Sequence, residues 1–516
     1  GKMADLFTLD AVADVAGGSA GSRLGTSLDT GVLRRRYDFG SRVSELAIAQ
    51  DPFFRFVSKL AKKATDDPEF KFTERRPSFH KRYAYATAFS NDNTTWVENQ
   101  STNATTQYDK YETAGNTVYV KLATDYTKSG NRQNVYGQSG QEIVIGADGT
   151  QPQFYMPDQM LKINFSDAAA GAVKSYAIVS VDTVTLQDES TSPPTAHTHG
   201  EAAIIRGTVV KTKDAGDDYY AGPLGVNTPV GDSTYSTSIA GTTASNGLEQ
   251  SRVYVVGNSH SQGSGYPETW KDQPFSTAFG RTQIFKTAMA MDNTTRATVL
   301  KYEPNEWARI WREKLIEHKW DIEQAILFGS QYDSGDEWYT QGAVDFITSY
   351  GNVFGLTHAS KTQDDFLDDL SNFLDPRYNN ANATLFFVDT QTYNWLHKLS
   401  GYFSNNLEVS PNLRADMALM GKKKVFGADI TTISTPFGDM NVTRNIHLDG
   451  SPIKILAVNM KHVSYRPLVG NGLNRDTAIY VGVQTLENSG VDRRVDLIQT
   501  EAGMEFQMPE AHAYWT

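Results

Sequence analysis

His197, His199 and Glu201, in the stretch HTHGE, have side chains that can hold a metal, and an H-x-H pair on a strand can do so. Here the pair follows DESTSPPTA, a Ser/Thr/Pro-rich run with no partner cluster nearby, so it reads as a solvated loop. Asp214, Asp217 and Asp218 in DAGDD lack the ordered ligand spacing and the closing Glu of a calcium loop. Ser261 in GNSHSQGSG lacks the glycine two residues earlier, and the helix afterwards, that a nucleophile elbow needs. GADGT at 146–150 leads into no helix N-terminus that would receive a phosphate, and reads as a turn. The runs RRR at 34–36 and KKK at 422–424 are short, and read as solvated or interface charge. There is no cysteine, hence no disulfide, thiolate metal site or thiol nucleophile. No dinucleotide fingerprint, P-loop, zinc spacing or triad survives. The expectation is a protein that is not an enzyme, with no catalytic, cofactor or metal residues.

The totals bound the class of protein. A chain of 516 residues exceeds one hydrophobic core, and two to four folding units are expected. Net charge is −12, which disfavours tight wrapping of nucleic acid and favours solubility at high concentration. No apolar run is long enough to span a bilayer, and the N-terminal stretch lacks the pattern of a secretory signal. The lack of cysteine suits assembly in a reducing cytosol. Gly1 ahead of Met3 is compatible with trimming of an original start.

The elements fall in a clear order. Residues 1–30 are small, polar and glycine-rich, a flexible arm within a 1–50 N-terminal arm. Ser41 or Asp38 could cap a short helix over 42–48. Asp51 caps a helix that opens with Pro52 and carries Phe53, Phe56, Val57 and Leu60 at helical spacing, with Lys62 and Lys63 at its negative end. Alternation through FKFTERRPSFHKRYAYATAF predicts strands within 51–90. Asn, Thr, Ser and Gly then dominate over 91–250, and short runs such as NTVYVKLAT and AAIIRGTVVK predict a small inserted β-barrel or sandwich. The region 301–375 holds a long helix, EPNEWARIWREKLIEHKWDIEQAILFG, with Pro304 at its start and Gly329 past its end. Trp307, Ile310, Trp311, Leu315, Ile322, Ala325 and Ile326 form its apolar stripe, read as core, and Arg309 pairs with Glu313. A helix capped by Thr362, the buried strand ATLFFVDT, a helix after it and several short strands complete 376–516. The fold class is α+β, one long helix beside sheets without βαβ alternation.

One stretch fits none of these elements. YPETWKDQPFSTAFGRTQIF at 266–285 holds two prolines and few apolar residues at regular spacing. Such a segment cannot offset its own ordering entropy and must borrow a surface, from its own domain or from a neighbouring copy.

LRRRYDFGSRVSELAIAQDPFFRFVSKLAKKATDDPEFKFTERR resembles the opening of major head proteins of tailed phages, in the T4-like myovirus branch. RVYVVGNSHSQGSGYPETWKDQPFSTAFGRTQIFKTAM resembles the extended loop of that family, and the long helix resembles its spine helix, in matching order. The resemblance covers most of 31–89 and 250–516, while 90–250 departs from it. It implies an HK97-like capsid fold: N-arm, extended loop over 251–300, peripheral domain with the spine helix, and axial domain, with the β-rich insert added. It further implies an icosahedral head shell around double-stranded DNA, built of hexamers and pentamers of this chain in the host bacterial cytoplasm. Portal and decoration proteins would be partners, DNA would touch the inner face only non-specifically, and no membrane would be involved. The expected inter-subunit contacts are Arg34, Arg35, Arg36, Tyr37 and Phe39 of the arm, and Tyr266, Trp270, Lys271, Phe275 and Phe279 of the loop. Some relatives join a loop lysine to an asparagine; Lys271 lies in that loop, with no activating carboxylate assignable to it.

Two other readings compete. An encapsulin-like compartment shares the fold, but the length and the RRRYDFG opening favour a phage head. A secreted β-rich carbohydrate-binding or carbohydrate-degrading protein would suit 91–250. It is opposed by the missing signal, the missing paired carboxylates and the tryptophan-bearing helix.

Overall fold

The computed structural model describes residues 51–74, 83–95, 97–98, 109–123, 142–144, 154–166, 175–187, 202–213, 228–229, 238–240, 252–268, 276–301, 304–374, 384–405, 418–425 and 428–516. The HTHGE, DAGDD, GADGT and RRR motifs and the helix expected over 42–48 lie outside them. The fold is α+β, as expected.

Its centre is a seven-stranded mixed sheet in the order 352–354, 513–515, 455–459, 384–388, 438–444, 428–435 and 418–425. The strand Thr384–Val388 is buried along its whole length because both faces are covered. Leu385 and Phe387 point into one core, with the spine helix residues Ile322, Ile326 and Leu327. Phe386 and Val388 point into a second core, with Phe366 and Leu370 of the helix Gln363–Phe373. Ile455–Asn459 alternates in the same way, with Leu456 and Val458 in the first core and Ile455 and Ala457 in the second. This is why both strands read as uninterrupted apolar runs.

One expectation is corrected here. Thr384–Val388 runs parallel to Gly438–Arg444, and the helix Thr390–Asn405 lies in the connection between them. Asn352–Phe354 also runs parallel to Ala513–Trp515. A fully buried central strand needs cover on both faces, and the returning helix supplies part of it.

The spine helix spans Glu306–Phe328, roughly 35 Å at the usual rise. Asn305 caps it, accepting the Ala308 N–H at 3.2 Å. The Arg309–Glu313 pair forms at 2.8 Å, and Glu306 joins it. Gly329 follows the helix with an ordinary negative φ of −66°. Its glycine identity answers a close approach instead: a Cβ on Gly329 would stand 2.4 Å from the Ala325 carbonyl oxygen. The helix lies against Gln283–Asp292, whose alternate residues Phe285, Thr287, Met289 and Met291 are buried. That strand pairs with Arg493–Phe506, which also carries Val463–Pro467 and Ala478–Gln484.

The β-rich region forms a closed antiparallel barrel. Its staves are Tyr83–Ser90, Thr117–Ala123, Ala202–Lys213, Ser175–Gln187, Gln159–Ser166 and Arg252–Asn258. The last stave pairs with both Tyr83–Ser90 and Gln159–Ser166, which closes the circle. Phe89, Leu122, Leu161, Val179, Ile205 and Val253 fill the interior. The strands on either side of 91–250 are therefore part of its sheet.

Candidate assembly surfaces

Glu69–Glu74 precedes the barrel along the chain, and Ser276–Arg281 follows it. The two pair antiparallel from Glu69↔Arg281 to Glu74↔Ser276. Of the two surfaces open to the 266–285 segment, its own chain supplies one for the second half, which is one strand of a ribbon, and Ile284 and Phe285 continue into the Gln283–Asp292 strand. The ribbon supplies backbone pairing that a lone arm lacks. At its base Phe70 is buried and lies against Gly280 and Gly503, where any Cβ would collide with its ring. The Arg466 guanidinium covers the same ring at 4.8 Å.

Of the expected contact residues, Arg34, Arg35, Arg36, Tyr37, Phe39, Trp270, Lys271 and Phe275 lie outside the described residues. Tyr266 is 96% exposed and Phe279 is 45% exposed. Phe279 lies on the ribbon, beneath the Arg281 guanidinium at 5.2 Å. A groove of about 610 Å³ opens beside it, between the ribbon and the helix Ala343–Tyr350, with Phe72, Glu74, Arg281, Asp345 and Tyr350 on its walls. Glu74 accepts the Met508 N–H at 2.9 Å, tying the ribbon to the body.

The spine helix divides along its length. His318, Ile322, Glu323, Ile326 and Leu327 are buried, while Trp307, Ile310, Trp311 and Leu315 are only half-buried. The tryptophans expected as core side chains are instead held by polar partners. The guanidinium groups of Arg494 and Arg296 lie over Trp307 at 5.3 and 5.8 Å. Trp311 donates its Nε1–H to Asp496 Oδ2 at 3.0 Å. Asp496 also accepts the Gly482 N–H at 2.8 Å and the Arg494 Nε–H at 3.3 Å. Burial works against its charge, but the Gly482, Trp311 and Arg494 donors outweigh it and hold the carboxyl below its usual range.

Sequence reasoning missed Glu323. Asp51 sits at the helix start as expected, but its carboxylate pairs with Arg55 at 2.8 Å and makes no cap. Glu323 fills that role from the spine helix. Its two oxygens accept the N–H groups of Phe53 at 3.2 Å and Phe54 at 2.6 Å, and Asn445 Nδ2 donates at 3.0 Å. Burial pushes its carboxyl up to about 7 against the pull of those donors. The readable signal was an acid flanked by Ile322 and Ile326 on an apolar face. Leu60, at helical spacing with Phe53, Phe56 and Val57, is 57% exposed.

Ser261 lies on an exposed loop where its carbonyl accepts from Ser264, with no base positioned beside it among the described hydrogen bonds. Lys422, Lys423 and Lys424 lie on the edge strand Ala418–Val425 of the central sheet, paired on one side with Ala428–Thr435. No group of three or more metal-ligating side chains occurs among the described residues. No described helix is long and apolar enough to cross a membrane.

Comparison with known proteins gives the family. The profile of the SU10 major capsid protein matches residues 38–516, a span that includes the barrel. A structure from Gordonia phage Cozz is 11% identical over 50% of this chain and 78% of that one, at a TM-score of 0.32. One from Microbacterium phage Oxtober96 is 12% identical over 50% and 80%, at 0.33. The holo-SrpI encapsulin complex from Synechococcus elongatus PCC 7942 is 12% identical over 47% and 77%, at 0.32. No curated protein matches the chain. The profile match, across nearly the whole length, shows that this chain belongs to the SU10 major capsid protein family and is a phage capsid protein that builds the virion shell from copies of itself.

Proposed function

We propose that the chain forms hexamers and pentamers in an HK97-type arrangement, with the ribbon as its extended loop. One observation carries this reading: Glu69–Glu74 and Ser276–Arg281 pair with each other while the chain between them travels out to form the barrel and back. The loop is then a two-stranded ribbon held to the body at Phe70 and Glu74, with the barrel inserted between its strands in sequence. In that reading Tyr266, Trp270, Lys271, Phe275 and Phe279 lie against the neighbouring subunit. The arm with Arg34, Arg35, Arg36, Tyr37 and Phe39 threads across another copy. The spine helix and the sheet beside it are the peripheral domain, and the seven-stranded sheet is the axial domain. Portal and decoration proteins are its further partners, and packaged DNA meets the inner face without sequence preference, as the net charge of −12 suits. The role is assembly without turnover: many symmetry-related contacts, each modest, become mutually dependent when the shell closes.

Electron microscopy of the purified chain tests this. Closed shells, or rings of six and five subunits with density for the ribbon on the adjacent subunit, are expected. A monodisperse monomer would overturn it.

A further inference from the structure

The chain is acidic overall, with 60 Asp and Glu against 48 Lys and Arg, but the staves of the barrel reverse the balance. They carry Lys121, Lys162, Arg206, Lys211, Lys213 and Arg252, with Asp182 as their one acidic residue. Asp182 accepts the Thr208 hydroxyl at 3.0 Å, and Lys121 is buried. The strand register orders what is left. Tyr83 stands opposite Tyr254, Tyr254 opposite Lys162, Lys162 opposite Ile178, and Ile178 opposite Lys211, a row across five neighbouring staves. Their chain neighbours Ala84, Val253, Leu161, Ala177 and Thr212 are buried, so by alternation the row belongs to the outer face. Tyr254 is 36% exposed, and Tyr83, Lys162, Ile178 and Lys211 are half-buried.

The row joins aromatic rings to cations. The rings of Tyr83 and Tyr254 have centroids 6.2 Å apart and are tilted by 56°. Lys162 Nζ lies 4.4 Å from the ring centroid of Tyr176, two residues before Ile178 on the same face. Lys162 and Lys211 are two inter-strand steps apart, roughly 10 Å. The charge calls for an anion, and the geometry narrows which one. Double-stranded DNA carries a charge every ~1.7 Å and keeps its bases stacked inside the duplex, so the tyrosines would go unused. A single strand stacks successive bases on aromatic platforms. Two rings at 56° do not make one platform. An acidic polysaccharide fits better. The C–H faces of its sugars lie on tyrosine, neighbouring sugars turn relative to one another, and its carboxylates are sparse enough for single lysines to meet them.

We propose that this face of the barrel docks an acidic polysaccharide with a carboxylate on alternate sugars, and stays open to it on the assembled shell. Tyr83 and Tyr254 receive the sugar rings, and Lys162 and Lys211 the carboxylates. The role goes beyond assembly. It concerns a partner other than this chain, and it needs the barrel alone, without the ribbon or the arm.

Fluorescence anisotropy of a labelled hyaluronan oligosaccharide, which has one carboxylate per disaccharide, tests this on the full chain. Saturable binding that weakens as salt is raised is expected from free subunits and from shells. Lys162→Glu with Lys211→Glu should weaken it at least roughly tenfold, and Tyr254→Ala several-fold. Lys59→Glu with Lys63→Glu makes the same charge change at two exposed lysines outside the barrel, and should leave the affinity within about twofold. The thermal transition checks that each variant folds; if the barrel pair loses its transition, Lys211→Gln and Tyr254→Ala decide. A wild-type chain that does not bind overturns the proposal. Equal weakening by the two lysine pairs also overturns it, since net charge alone would then be acting. Binding of a labelled oligothymidylate as tight as that of hyaluronan overturns it in favour of nucleic acid. Binding by free subunits and not by shells overturns it too, because the face is then covered in the assembly. A wild-type chain that never forms shells removes the assembly reading and leaves the subunit measurement to decide this one.

Discussion

Phe54 donates its backbone N–H to the carboxylate of Glu323 at 2.6 Å, across 269 residues of chain. The bond fixes the start of the first described helix, Pro52–Leu60, to the C-terminal part of the spine helix. Phe53 and Phe56 of that helix then meet Phe387 edge-to-face, with ring centroids 5.4 and 6.1 Å apart. A helix N-terminus favours a negative partner, and this one is supplied from a distant element because Asp51 turns to Arg55.

Glu323→Ala should therefore destabilise the unassembled chain by about 2–4 kcal/mol, because two buried N–H groups and Asn445 lose their acceptor together. Urea denaturation of the free subunit measures this. Asp51→Ala, by contrast, should cost about 1 kcal/mol or less, as it removes no cap and leaves behind only Arg55, which solvent reaches. Equal losses from the two variants would mean that Glu323 is not the cap.

A pH dependence follows from His512. Its Nδ1 accepts the Asn459 N–H at 3.1 Å and its Nε2–H donates to the Gln507 carbonyl at 2.9 Å, so both nitrogens are engaged by the neutral ring. Burial holds its pKa down to about 3. Unfolded, the ring takes a proton below about 6.5, which the native state refuses. Its contribution is complete above that value and is lost as pH falls toward 3, by an amount on the order of 4 kcal/mol. Glu323 acts in the opposite sense. Its raised pKa of about 7 means that its contribution is complete below about 4.5 and is lost as pH rises through 7. The windows overlap, so the difference between variants is the useful reading. His512→Gln should lose stability less steeply than the wild type between pH 6.5 and 4 in urea titrations, while Glu323→Gln should flatten the loss between pH 4.5 and 7. Parallel curves for wild type and His512→Gln would contradict the assignment.

Local elements were legible where one physical rule dominated. Thr362 announced its capping box, and the structure shows Thr362 and Asp365 satisfying each other. ATLFFVDT announced a strand buried on both faces. The long helix was plain from Pro304 to Gly329, and a β-barrel or sandwich from the closely spaced short strands. What the residues could not show was pairing over long separations. Phe70 meets Gly280, and Arg252–Asn258 returns to Tyr83–Ser90, by contacts between segments far apart in the chain. Nothing local marks them. The half-burial of Trp307 and Trp311 was hidden for a similar reason: periodicity reports which side chains share a face but not whether that face is covered within one copy. Glu323 was visible only as an anomaly, an acid among apolar neighbours, and its partner lies in another element.

The ribbon's base makes a steric prediction. A Cβ on Gly280 would stand 2.3 Å from the Phe70 ring, and one on Gly503 would stand 2.4 Å from the Arg281 carbonyl. Gly280→Val should thus force Phe70 out of its site at a cost of about 1–3 kcal/mol. The local effect should exceed the global one. Limited proteolysis within 69–74 and 276–281 is expected to accelerate several-fold, with little change in the barrel. Unchanged cleavage would mean that the ribbon holds without this contact.

The exposed side chains of the loop distinguish a folding role from an assembly role. Tyr266 makes no described hydrogen bond or ring contact, and its side chain stands almost wholly in water. Phe279 lies opposite Lys71 on the ribbon and offers nearly half its surface to solvent. Exposed substitutions of this kind shift stability by only about 0.5 kcal/mol, so Tyr266→Asp and Phe279→Asp should melt like the wild type. In a shell, the same two changes would bury an unpaired carboxylate against the neighbouring subunit, which costs far more than the fold registers. The expected outcome is a soluble subunit with normal thermal behaviour and a large loss of closed shells by light scattering and electron microscopy. Shells at wild-type yield from both variants would place the ribbon's outer face in solvent, and the contact that closes the shell would have to be sought elsewhere on the chain.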